Sequence, residues 1–328
     1  MAKSKIIIGI HGLGNKPPKI LFEEWWRLSI LEGLKNIGYR RTNLNFELVY
    51  WSDVLHPVPL DPYEKDEDSE LFLEEKYSSA ANRKEEENNS LKSSMAQYIR
   101  EQFNNILFNE KLHINFPSIT DFIIKHFFKD LSVYLTEKCI SENNRECLAK
   151  EVIQERLHQV LLKHKEKDIL LVSHSMGTIV AYDVLSKYNN ELNINTWVTT
   201  GSPLGVPFIY GELKFESRQT ESSLAVTPNP ITSNWFNLAD LNDKLAVNYE
   251  LDKLFAPNIH GIKPEAMLIH NDYESNGIKN PHKTYGYLRS PELSQIIDNF
   301  LCIGKSKFSI WMRKKFLSVF AKFKSNNN

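Results

Sequence analysis

The chain has 328 residues, 41% of them apolar and 25% charged, with a formal net charge of −1. This is long enough to bury a substantial core, in the proportions of an ordinary soluble globular protein, and the near-zero charge argues against a global positive field that would recruit nucleic acid. The three cysteines, Cys139, Cys147 and Cys302, form no C-x-x-C pair and no zinc spacing, so no disulfide framework or structural zinc site is expected, and a reducing compartment is.

In chain order, the β-branched run Ile6 to Ile10 reads as a strand buried on both faces, the habit of parallel sheets. Gly12, Gly14 and Asn15 end it, and apolar residues at Leu21, Trp25, Leu28, Leu31 and Leu34 then predict a helix over about 20–37. Phe46 to Trp51 predicts a second strand, broken by Pro57 and Pro59. A mainly helical insertion is expected at about 54–145, first highly charged (61–95) and then rich in aromatics such as Phe103, Phe116 and Phe127. Core periodicity returns with a helix at about 146–165, the apolar strand Asp168 to Val172 and a helix from about Gly177 to Tyr188. Further strands are expected at Trp197 to Thr200, Trp235 to Leu238 and Ala266 to Ile269, then a proline-initiated helix from Pro291 to Ile303. Alternation of strands and helices predicts an α/β fold with a mostly parallel sheet.

Residues 1–303 are expected to form one domain carrying the insertion, and 304–328 a basic amphipathic tail. The tail has Lys305, Lys307, Arg313, Lys314 and Lys315 and no acidic residue over 305–324, with Phe308, Met312, Phe316 and Phe320 on one helical face. Such a segment either lies on an anionic membrane or packs its apolar face on the domain. No stretch approaches the ~20 apolar residues of a membrane span, and the N-terminal apolar run is too short for a signal-peptide core. A cytoplasmic location is expected, with peripheral membrane contact through the tail as an added expectation.

The strongest chemical signal is Ser173-His174-Ser175-Met176-Gly177, set between an apolar strand and a helix. A serine on such a turn projects its hydroxyl out of the sheet, and its flanks must be small. The segment resembles the nucleophile elbow of α/β-hydrolases, G-x-S-x-G, with Ser173 in place of the first glycine. Gly9-Ile10-His11-Gly12-Leu13-Gly14-Asn15 similarly resembles the oxyanion loop of lipases and esterases of that fold. It has neither G-x-G-x-x-G spacing nor a P-loop Lys-Ser/Thr pair, which argues against nucleotide binding.

The resemblance implies an α/β-hydrolase fold with Ser175 as nucleophile and the backbone amides of Leu13 and Met176 as oxyanion-hole donors. It also implies an acid and then a base further along the chain. Asp243, in the segment Trp235 to Ala246, is the expected acid, with Asp240 as rival. His282, in Asn280-Pro281-His282-Lys283-Thr284-Tyr285, is the expected base, since the segment resembles the H-x-x-Y stretch of lipase-like members. His260 and His270 are the alternatives, and His11, ahead of the elbow, is expected to be structural.

The expected activity is hydrolysis of a small-molecule or lipid-like carboxylic ester through an acyl-serine intermediate, of esterase or lipase type, with no metal or organic cofactor. Thioesterase, amidase and acyltransferase chemistry would use the same groups. A non-catalytic binding or regulatory protein on the same fold is the alternative.

Overall fold

The computed structural model describes residues 3–39, 41, 43–80, 131–132, 134, 138–140, 146–216, 224–246, 248–275 and 278–303. The C-terminal tail and residues 81–130 of the expected insertion lie outside the described residues.

Six parallel strands form the central sheet: β1 (Lys5–Ile10), β2 (Phe46–Val49), β3 (Asp168–His174), β4 (Ile194–Thr200), β5 (Ile231–Ala239) and β6 (Pro264–Leu268). Their order across the sheet is β2-β1-β3-β4-β5-β6. Two inner strands of this order, β1 and β3, are the apolar runs that the sequence marks, and they pair in full register from Lys5 opposite Asp168 to Ile10 opposite Ser173. Strands buried on both faces need helices on both sides.

Alternate side chains of the strands feed two separate cores. Ile7, Leu48, Leu170, Val172, Val198 and Leu238 point to one face. There they pack against α1 (Lys19–Asn36), α5 (Thr284–Arg289) and α6 (Pro291–Cys302). Ile6, Ile8, Ile10, Leu171, Trp197 and Trp235 point to the other face, against α2 (Ala149–Lys163), α3 (Met176–Lys187) and α4 (Pro207–Glu216).

Local sequence explains the helix ends. Pro17 and Pro18 stop the chain from turning helical before Lys19, and Gly38, at φ 92°, ends α1. The Gly38 amide donates to the Lys35 carbonyl at 3.0 Å and the Tyr39 amide to the Leu34 carbonyl at 2.7 Å, a Schellman ending. At α6 the Ser290 hydroxyl accepts from the Leu293 amide at 3.2 Å, and Pro291 occupies the first turn.

Element bounds differ from the sequence reading at a few ends. Strand β2 stops at Val49, because the Trp51 amide leaves the ladder and donates to Nε2 of His11 at 3.0 Å. Strand β5 begins four residues before Trp235, at Ile231. At the start of the expected helical insertion Ser52–Leu55 is one helical turn, and residues 56–80 follow an irregular path with a single bridge between Asp61 and Phe72. A short antiparallel ladder, Lys138–Ile140 with Glu146–Leu148, then precedes α2. No helix among the described residues is long and apolar enough to cross a membrane.

The sheet order reverses between β1 and β3, because the connection from β1 runs outward to β2 and the one from β3 runs outward to β4. In open parallel sheets the crevice at such a switch point, beyond the carboxyl ends of the strands, is where ligands bind. Leu13 follows β1 there, and Ser175 follows β3.

Candidate active site

Strand β3 ends at His174 and α3 begins at Met176, so Ser175 must turn the chain by itself. It does so at φ 54° and ψ −129°, the only positive φ of a non-glycine residue among those described. Such a conformation costs on the order of 1–3 kcal/mol and persists only where its surroundings over-determine it. Here the Ser175 amide donates to the Thr200 carbonyl at 3.0 Å, while the Thr178 amide and hydroxyl donate to the Ser175 carbonyl at 2.9 and 2.7 Å.

The turn is crowded on both sides. A Cβ on Gly12 would stand 2.6 Å from Cβ of Ser175, and a Cβ on Gly177 would stand 2.6 Å from the His11 carbonyl oxygen. Both distances are below van der Waals contact, so both positions require glycine. Ser173 is also fully buried. Its hydroxyl accepts from Nε1 of Trp197 at 2.8 Å and faces the Val198 carbonyl at 3.3 Å, so it is absorbed into the core and does not approach the site.

The structure brings Ser175, His282 and Asp243 together. Nε2 of His282 lies 3.0 Å from the Ser175 hydroxyl, and Nδ1 lies 3.0 and 2.9 Å from the two carboxylate oxygens of Asp243. A carboxylate only accepts, so Nδ1 carries the proton and Nε2 offers its lone pair to the serine. The Asp243 side chain is fully buried. Its oxygens also accept from the Leu245 amide at 3.0 Å and from the Tyr287 hydroxyl at 2.7 Å.

Asp240 does a different job. It accepts from the Asn242 and Asn271 amides at 2.8 and 2.7 Å, shaping the turn that follows β5. His270 is exposed and lies 3.7 Å from Asp240, and His260 sits in an exposed turn held by Asn258. Neither approaches the serine.

Around this trio lie residues that the sequence reading did not single out. The Tyr287 hydroxyl accepts from the Asp240 amide at 3.0 Å while donating to Asp243, so it ties the two aspartates together. Burial, and then the negative charge of Asp243, push its phenol well above the usual tyrosine range, and it stays a donor. Asn271 donates from its Nδ2 to the carbonyls of Pro281 at 2.8 Å and Lys283 at 2.9 Å, bracketing His282. No local pattern marks Asn271 or Tyr287, since each acts through a fold contact with a separate segment.

The two other histidines nearby are locked neutral. Burial, and then the proximity of His282, hold His174 well below the usual histidine range, and its Nε2–H donates to the His282 carbonyl at 2.8 Å. Burial, and then the charge of Lys16, do the same to His11. His11 donates from Nδ1 to the Gly12 carbonyl at 2.7 Å and accepts at Nε2 from the Trp51 amide, which makes it a brace for the loop after β1.

Two backbone amides lie next to Ser175 in the chain or in space. The Met176 amide opens α3, whose first N–H groups have no intrahelical acceptor and carry the positive end of the helix dipole. Leu13 follows Gly12, which packs on Ser175. Among the described residues no backbone acceptor engages either amide.

A cavity of about 340 Å³ opens over the serine. Leu13, Phe22, Leu60, Phe72, Leu73 and Leu245 give it apolar walls, and Lys16, Glu74, Glu75 and Lys283 give it charged ones. A larger groove of about 780 Å³ runs along β5 and β6 near Trp235 and Lys263, and its lining includes none of Ser175, Asp243 and His282. The described residues contain no cluster of three potential metal ligands. Neither a scan against protein-family models nor a search of curated proteins finds a match to this chain.

Proposed function

We propose that the chain is a serine hydrolase of the α/β-hydrolase type, cleaving carboxylic esters through an acyl-Ser175 intermediate. The observation that carries this reading is the single imidazole of His282, within hydrogen-bonding distance of both the Ser175 hydroxyl and the Asp243 carboxylate. A serine on a strained strand-to-helix turn, a chain order of Ser, Asp, His and a position at the sheet's switch point support it independently.

The chemistry follows from the geometry. His282 Nε2 takes the proton of the Ser175 hydroxyl as Oγ attacks the ester carbonyl carbon. The carbonyl oxygen becomes negative and is met by the Leu13 and Met176 amides. Asp243 steadies the imidazolium that forms. When the tetrahedral species collapses, Nε2–H gives its proton to the departing alcohol oxygen and leaves an acyl-serine. Water then attacks with His282 again as base, and Ser175 regains its proton as the acid departs. No step needs a metal or an organic cofactor.

The mixed lining of the cavity suits an ester with one apolar and one polar end. Its volume lies at the small end of the roughly 300–1,000 Å³ usual for ligand pockets. This favours short or medium acyl groups over long ones.

The test is hydrolysis of p-nitrophenyl esters from acetyl to palmitoyl by the wild type and by Ser175→Ala. Loss of about 10⁴-fold or more in kcat is expected for the variant, with a short-to-medium chain optimum in the wild type. Equal turnover by the two proteins would remove Ser175 from the mechanism.

A further inference from the structure

The loop that carries His282 has no regular structure of its own. Residues 280–283 lie between the short strand Ile278–Lys279 and the start of α5 at Thr284. A base that must reach both a serine and an aspartate needs this loop held from outside, because a misplacement of about 1 Å can lower a rate ~10²-fold. Asn271 holds one side through the Pro281 and Lys283 carbonyls.

The other side is held from the distant segment 58–80. This segment is fastened first to the loop after β1, where Asn15 Nδ2 donates to the Val58 carbonyl at 2.9 Å and the Leu60 amide to the Lys16 carbonyl at 3.0 Å. The Asp61 amide then donates to the Leu71 carbonyl at 2.9 Å, closing an excursion and setting Phe72 and Leu73 in the cavity wall. Glu75 comes next. One carboxylate oxygen accepts from Asn280 Nδ2 and the other from Lys283 Nζ, both at 2.6 Å. Asn280 in turn accepts the His282 amide through its Oδ1 at 3.0 Å.

We propose that Glu75 is a positioning residue for His282, gripping Asn280 and Lys283 on either side of the base from more than two hundred residues away in sequence. This inference rests on the reading of His282 as the general base. The grip is stronger than a surface ion pair, since about three quarters of each side chain is buried and both bonds are short. Burial alone would raise the Glu75 carboxyl, but Lys283 and Asn280 outweigh it and hold the group below the usual glutamate range, so it remains charged near neutral pH.

Glu75 also faces the cavity, so a substrate contact is the competing role, and kinetics separate the two. With Glu75→Ala we expect kcat to fall by roughly 10–100-fold at unchanged KM, and the rate of labelling of Ser175 by a fluorophosphonate, a probe with little need of substrate recognition, to fall by the same factor. Glu75→Gln keeps an acceptor for Asn280 and is expected to recover part of the loss. Raised KM with wild-type kcat and labelling would make Glu75 a substrate contact, and no change at all would make it an ornamental ion pair. Either result overturns the proposal.

The low-field proton resonance of His282 Nδ1–H supplies a readout independent of turnover. It should broaden in Glu75→Ala and stay sharp in the wild type, and equal sharpness would count against the grip. If Glu75→Ala does not fold, Lys283→Met, which removes one of the two bonds, carries the same measurements. Failure of the hydrolase reading looks different: the wild type would then react no faster than Ser175→Ala, whatever residue stands at position 75.

Discussion

The Tyr287 hydroxyl lies 2.7 Å from Oδ2 of Asp243 and donates to it, from a helix that starts only after the His282 loop. The aspartate is therefore held by two donors, this distant phenol and the neighbouring Leu245 amide, before it meets the imidazole. Tyr287→Phe removes the donor and also leaves the Asp240 amide without its acceptor. We expect a loss of about 1–3 kcal/mol in stability and a fall in kcat of roughly tenfold as the carboxylate loosens. Chemical denaturation and ester kinetics on the same preparation check both. A loss of stability with intact kcat would limit Tyr287 to a structural bridge.

Gly12 packs against Ser175, the proposed nucleophile. A methyl group there would sit 2.6 Å from Cβ of Ser175 and 3.2 Å from its hydroxyl oxygen. Gly12→Ala must move either the serine or the loop bearing Leu13, so kcat/KM should fall by about 10²-fold. Gly211, in α4, provides the contrast, with nothing within 4 Å of an added Cβ. Gly211→Ala should leave kinetics alone and raise stability by about 0.5–1 kcal/mol, the usual gain in a helix interior. Paired melting curves and progress curves decide.

Two buried neutral histidines make the fold sensitive to mild acid. His11 and His174 both have folded pKa values well below the ordinary 6.5. Below that pH the unfolded chain binds protons that the native state refuses, so stability falls as pH drops. Each histidine contributes about 1.4 kcal/mol per pH unit once the unfolded form is fully protonated. The loss begins near pH 6.5 and continues toward the folded values. Glu47 and Glu75, held below 4.5 by their partners, add to it only at lower pH. Thermal midpoints measured from pH 7.5 to 5 should fall steadily, and His174→Gln, whose amide can replace the donor to the His282 carbonyl, should flatten the slope by about half.

Ser173 stands at the position that is glycine in the elbow this segment resembles, and Ser173→Gly would reproduce that pattern. The substitution removes the acceptor for Nε1 of Trp197, which is fully buried. A loss of about 1–3 kcal/mol in stability is expected with kcat unchanged, because the Ser173 side chain points into the core. A gain in stability would show that the indole finds another partner.

Much of the fold was legible from pattern alone. Runs such as Ile6 to Ile10 and Asp168 to Val172 admit few readings, and glycines and prolines mark the ends of α1 and α6. The candidate site was legible where chemistry compels a local motif. Ser175 is the clearest instance, since its turn demands small neighbours on both sides. Asp243 and Asp240 could not be separated from sequence, because both occupy one turn and only the direction of their side chains assigns them, one to His282 and the other to the Asn271 amide. The H-x-x-Y resemblance drew attention to Tyr285, which packs among Trp25, Tyr77 and Tyr273, while Tyr287 reaches the aspartate. Asn271 and Glu75 gave no signal, because their roles exist only once remote segments meet.

The backbone at Ser175 has one more consequence. A left-handed turn there suits glycine, the residue with no side chain to strain, yet hydrolysis would need a hydroxyl. Ser175→Gly should therefore melt at a higher temperature than the natural protein while turning over nothing. At this single position folding and the proposed chemistry ask for different residues, and the hydrogen bonds from Ser175 to Thr200 and from Thr178 to Ser175 hold the serine in place.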